Sequence, residues 1–132
     1  MKHPILSLIR TATLAIGMLA ASAGLHAQSS GNPSPPDGMP FQYGRGFELF
    51  QDNCAECHGG DLKGTDQGPP LLHGYYRPGH HSDAAFFRAI AMGTPQHHWN
   101  FGDMQPVEAV DEREAAAIIE FVRWHQRESG LY

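Results

Sequence analysis

The chain has 132 residues with 14 acidic and 9 basic side chains, a formal net charge of −5, and only two cysteines. That length is one domain by size. The acidic balance argues against a nucleic-acid partner, because a phosphate backbone needs a basic face.

The first 27 residues read as a signal peptide. Lys2 and Arg10 make a positive start, and Thr11 to Ala23 is an apolar stretch too short to cross a bilayer as a helix. Leu25-His26-Ala27 offers a cleavage site after Ala27, with Ala21-Ser22-Ala23 as a second; a retained N-terminal anchor is the rival reading. Cleavage would remove Lys2 and Arg10 and leave seven basic against fourteen acidic side chains. Residues 28–42 then form a flexible linker rich in Pro, Ser and Gly. The domain proper is expected over 43–132, with three or more helices, no strand pattern and long Gly/Pro-rich loops.

A helix-compatible segment runs from about Gly44 to Cys57, with Phe47, Phe50 and Cys54 at helical spacing and Gly59-Gly60 as its stop. Residues 59–81 read as loop, since Gly68-Pro69-Pro70 suits neither a helix interior nor a central strand. A second helix starts at Ser82 or Asp83 and ends near Met92, capped by Gly93. Residues 94–110 are loop again. The last helix is the best marked. Asp111 and Glu114 form a capping-box pattern, Ala115, Ile118, Ile119 and Val122 line one face, and Gly130 closes it.

Both cysteines fall in Cys54-Ala55-Glu56-Cys57-His58. This spacing is that of c-type haem attachment: two thiols on one turn reach the two vinyl groups of one macrocycle edge, and the adjacent His58 lies under the iron. An export signal agrees, since exported thiols otherwise tend to pair as disulfides. Three other readings compete. A thioredoxin-like dithiol would begin a helix after a strand, whereas this motif ends a helix. A structural zinc site wants a second ligand pair at finger spacing. A plain disulfide leaves His58 unexplained.

With these residues in view, the chain resembles class I c-type cytochromes over about residues 43 to 129. Gly46, Phe50 and Cys54 match the family's N-terminal helix. Gly68-Pro69 followed by Leu71 or Leu72 is similar to its Gly-Pro-x-Leu loop with one extra residue. Phe121 falls where its C-terminal helix has an aromatic packed on the first helix. The resemblance implies an all-α, cytochrome c-like fold in which Gly46 lets the terminal helices approach. It implies one haem c held through Cys54 and Cys57, with His58 oriented by the Pro69 carbonyl. It also implies axial ligation of the iron by His58 and Met104, although Gln105 separates Met104 from Pro106 where the family usually has Met-Pro. Among the other methionines, Met39 lies in the linker and Met92 reads as core packing.

The expected function is transfer of single electrons between exported redox partners, by a periplasmic carrier with no catalysis of its own. Alternatives are a cytochrome subunit of a periplasmic dehydrogenase or oxidase complex, or a haem sensor with a labile sixth ligand; for the sixth ligand itself, the alternatives to Met104 are His97, His98 or an open site. Trp99 or Arg77 is expected near a haem propionate, with core filling as the plain alternative for Trp99. His80, His81, His97 and His98 have no assigned role: they are solvated loop histidines, or a surface copper or zinc site if the two doublets converge.

Overall fold

The computed structural model describes residues 33–132, so the expected signal at 1–27 and the first part of the linker lie outside the described residues. Four α-helices follow in order: α1 Gly44–Asn53, α2 Ala55–His58, α3 Asp83–Met92 and α4 Glu112–Glu128. Single 3-10 turns occupy Phe41–Tyr43 and Gly74–Tyr76. Among the described residues there is no strand, only an isolated antiparallel bridge between Thr94 and Met104. The all-α expectation therefore holds.

The core is built where α1 meets α4. A Cβ on Gly46 would collide with the Ala117 carbonyl oxygen and lie 2.9 Å from Phe121 Cβ, so only glycine permits this approach. The contact brings Phe47 and Phe50 onto Phe121, with ring centroids 5.5 and 5.6 Å apart. Phe50 and Phe121 are fully buried, and each contributes about 2–3 kcal/mol by leaving water. Tyr43 stacks on Trp124 at 5.5 Å and extends the contact toward the chain start. A smaller cluster of Ile90, Ala115 and Ile119 seats α3 on α4.

Helix α4 begins as expected. The Asp111 carboxylate accepts from the Arg113 and Glu114 amides, both at 2.8 Å, and Glu114 reaches back to the Asp111 amide. Its buried face also carries two polar residues, Arg123 and Gln126. The Arg123 guanidinium donates to the Tyr76 carbonyl at 2.6 Å, the His81 carbonyl, Gln126 Oε1 at 2.7 Å and Asp83 Oδ1 at 2.7 Å. Gln126 donates to the Leu71 carbonyl at 2.7 Å. These donors hold the 59–81 segment against α4.

Three expectations need correction. The first helix does not run unbroken to Cys57. Cys54 adopts φ −127° and ψ −29°, which ends α1 and lets α2 start as a separate turn. Met39 is not free linker, because its side chain packs against the main core and the Phe41–Tyr43 turn already winds the chain. Met92 is 67% exposed rather than core; it sits on the last turn of α3, beyond the Ile90 contact with α4.

Gly46→Ala is expected to cost about 3 kcal/mol, the upper end for overpacking, because the clash is with backbone that cannot rotate away. Guanidinium unfolding of the purified variant checks this. Arg123→Ala is expected to cost about 3 kcal/mol in the same assay, chiefly from carbonyls left without a donor. The Asp83 pairing contributes little, since that carboxylate is largely in solvent. Asp83→Asn should therefore unfold close to the wild type.

Candidate functional site

The end of α1 and the turn α2 place the Cys54-to-His58 motif. Cys54 N still bonds the Phe50 carbonyl at 2.8 Å, so the motif is fastened to α1 despite the break. The His58 amide bonds the Cys54 carbonyl at 2.9 Å and closes the turn. Cys54 is half-buried and lines a large cavity, while Cys57 is exposed. Burial pushes the Cys54 thiol up to about 12, with the neighbouring Cys57 adding to the shift.

The 59–72 loop wraps under this turn. Thr65 Oγ1 donates to the Cys57 carbonyl at 2.7 Å and the Gly64 amide to the His58 carbonyl at 2.8 Å. Gly68 passes so close to Cys57 that a Cβ there would lie 2.7 Å from the Cys57 carbonyl oxygen. Leu62 is fully buried with φ +61°, a left-handed conformation that a branched side chain adopts only when the surroundings hold it. Nothing in the sequence pattern marks it.

His58 Nδ1 lies 3.0 Å from the Pro69 carbonyl oxygen. A carbonyl only accepts, so Nδ1 carries the hydrogen and Nε2 keeps a lone pair. Burial lowers the His58 pKa, partly opposed by the Pro69 hydrogen bond. The imidazole is thus held neutral, the form that binds metal.

Met104 comes from the 94–110 loop. Its amide and carbonyl pair with the Thr94 carbonyl and amide, both at 3.0 Å. Gly93 ends α3 with φ +72° and packs directly on the Met104 carbonyl. The Val107 amide bonds the Ile90 carbonyl at 2.8 Å just beyond. Gln105 therefore does not loosen this segment.

Cys54, His58 and Met104 line one cavity that opens to solvent at its mouth. Phe50, Leu71, Ile90, Ile118 and Val122 make its apolar walls. Trp99 also lines it, and its Nε1–H is buried with no hydrogen-bond partner. The Tyr76 hydroxyl is close enough to feel that N–H, although burial is the main cause of its raised pKa and no hydrogen bond between them is completed. Arg77 is exposed and is not on the wall. Met39 and Met92 are not on it either. His81, His97 and His98 are, with His97 on the exposed edge.

Reading the sequence did not single out Arg123 or Gln126. The available signal was their position: Arg123 stands four residues after Ile119 and Gln126 four after Val122, on the buried stripe of α4.

A family model described as Cytochrome c matches residues 43–126, well over half of the chain. No curated protein and no solved structure matches. The family carries a covalently bound haem c, and the residues present fit that group on the geometry alone. Two free cysteines sit at the attachment spacing, an apolar cavity lies beside them, and Trp99 on its lining has a buried N–H without an acceptor. The match and this fit together place the chain in the cytochrome c family of haem-containing electron-transfer proteins, with Cys54 and Cys57 available for covalent attachment.

Proposed function

We propose that this chain is a periplasmic monohaem cytochrome that carries single electrons between redox proteins, with His58 and Met104 as the axial ligands of the haem iron. One observation carries the reading: His58 and Met104 line the same cavity as Cys54, and each is fixed by hydrogen bonds to backbone.

Haem supplies an iron that cycles between ferric and ferrous states with no substrate bond made or broken. The chain's residues do the rest. The Pro69 carbonyl holds His58 in the tautomer whose Nε2 can ligate. The Met104 thioether is a soft ligand that favours ferrous iron and raises the potential relative to a second imidazole. Phe50, Leu71, Ile118 and Val122 keep water out. Trp99 offers its free N–H to a haem propionate, which satisfies an otherwise orphaned buried donor.

Export rests on the signal-like residues 1–27 and on the family, whose haem is joined to cysteines outside the cytoplasm. No helix among the described residues is long and apolar enough to cross a membrane. The acidic mature chain suits partners that dock through a basic patch.

Met104→Ala should abolish the weak long-wavelength iron–methionine charge-transfer band, lower the midpoint potential and open the reduced protein to carbon monoxide. A wild type without that band, or a variant that keeps it, refutes Met104. N-terminal sequencing of the secreted protein should begin at Gln28; a chain that keeps its first residues refutes cleavage.

A further inference from the structure

Electron transfer through His58 and Met104 leaves two histidine doublets unused. They are far apart in the chain, with His80-His81 after the 3-10 turn Gly74–Tyr76 and His97-His98 in the loop beyond α3. Their rings nevertheless meet. His80 Nε2 lies 3.0 Å from His98 Nε2, and His81 Nε2 lies 3.3 Å from His97 Nε2. His80, His81 and His98 each offer a ligand atom within 4.8 Å of the others.

The opposite ring nitrogens decide what these contacts mean. His81 Nδ1 lies 2.6 Å from the Tyr75 carbonyl oxygen, and His97 Nδ1 lies 2.9 Å from that of Pro95. Carbonyl oxygens only accept, so both Nδ1 atoms carry the ring hydrogen. In the neutral rings each Nε2 is then a bare lone pair, and the two lone pairs face each other. Such a pair wants a shared cation between them. Two nitrogens bound about 2.05 Å from a tetrahedral ion stand ~3.3 Å apart, the separation found here. An imidazole backed by a carbonyl on its far nitrogen is also the usual arrangement at metal sites.

The rings are held in place by the rest of the fold. His98 stacks on Tyr75 with centroids 4.3 Å apart and planes 19° from parallel. Arg123 grips the His81 carbonyl from the core. The 94–104 loop is tied by Gln96 N to Asp103 Oδ1 and Gly102 N to Gln96 Oε1, both at 3.0 Å.

We propose that His80, His81 and His98 form the core of a second metal site, distinct from the haem, with His97 joining through its contact with His81, for a divalent late first-row transition cation of the Zn²⁺ or Cu²⁺ class. Four borderline nitrogen donors without a carboxylate or thiolate suit these ions rather than Ca²⁺, Mg²⁺ or Cu⁺. Three of the four histidines also line the haem cavity. A cation there favours the less positive, ferrous state. By reciprocity, reduction tightens its binding. The site rests on the proposed function in one respect: His97 and His98 must be free of the haem iron, as they are when Met104 is the sixth ligand.

The test uses the chelator-stripped holoprotein. Zn²⁺ titrated by calorimetry should bind one ion per chain, and His80→Gln should weaken it by about tenfold or more. His80 is exposed and off the cavity wall, so that variant's haem spectrum should match the wild type and vouch for its fold. His97→Gln/His98→Gln should abolish binding; both side chains stand on the haem cavity wall, so the far-ultraviolet circular dichroism of this variant vouches for its fold. Cu²⁺ bound in place of Zn²⁺ should give electron paramagnetic resonance lines split by several imidazole nitrogens, and Zn²⁺ should raise the midpoint potential. Sub-stoichiometric Zn²⁺ binding, unchanged affinity in His80→Gln, or a potential that stays put overturns the proposal. So does a wild type that lacks the iron–methionine band and loses its low-spin spectrum in His97→Gln/His98→Gln without added metal, which would put an imidazole on the haem iron and refute Met104 as well. A lost charge-transfer band in Met104→Ala with Zn²⁺ binding intact would leave both readings standing.

Discussion

Everything in this domain depends on one close approach, the passage of α4 over Gly46. The absent side chain lets two helix backbones come nearly into contact. Two consequences follow at once. Phe47 and Phe50 lock against Phe121, and the end of α1 is fixed relative to the buried face of α4. The first supplies the core. The second decides where Cys54 and His58 stand against Ile118 and Val122, which form the wall behind them. Cofactor attachment and cofactor pocket are thereby set by a single interhelical contact.

Much of the remaining structure is loop, and the loops owe their order to donors aimed at carbonyls. Gln126 and Arg123 reach out of α4 to Leu71, Tyr76 and His81. Thr65 and Gly64 bind the motif turn from below. Thr94 and Met104 exchange a pair of backbone bonds, and Val107 adds another to the end of α3. Buried carbonyls without partners are expensive, so each of these bonds excludes a family of alternative loop paths. This is how a domain with no sheet keeps a rigid pocket wall opposite its helices.

The helix ends were legible because their signals are local. Asp111 with Glu114, Gly93 and Gly130 act on neighbouring residues, and each marks the boundary found. The motif was legible because its spacing is itself the chemistry. What escaped was set at long range. The break at Cys54 falls beside loop contacts on Cys57 and His58 and not at any helix-breaking residue. Met92 looked like core because it follows Ala89, Ile90 and Ala91, but only Ile90 faces α4. Arg123 is a charged residue on an apolar stripe, and its meaning lies in carbonyls more than forty residues away. The histidine doublets gave no periodic signal, and only the folded path of two loops brings them together.

The Gly46 contact also orders events in time. It joins residues separated by roughly 70 positions, so a large loop must close before the core forms, and that entropy is repaid only when α4 is complete. A chain emerging from its N-terminus presents Cys54 and Cys57 long before it presents Phe121. Until then α1 has no partner for its aromatic face, and both thiols remain on open chain. The glycine that makes the finished domain tight thus leaves an interval in which the haem can be joined to a polypeptide that has not yet closed around it.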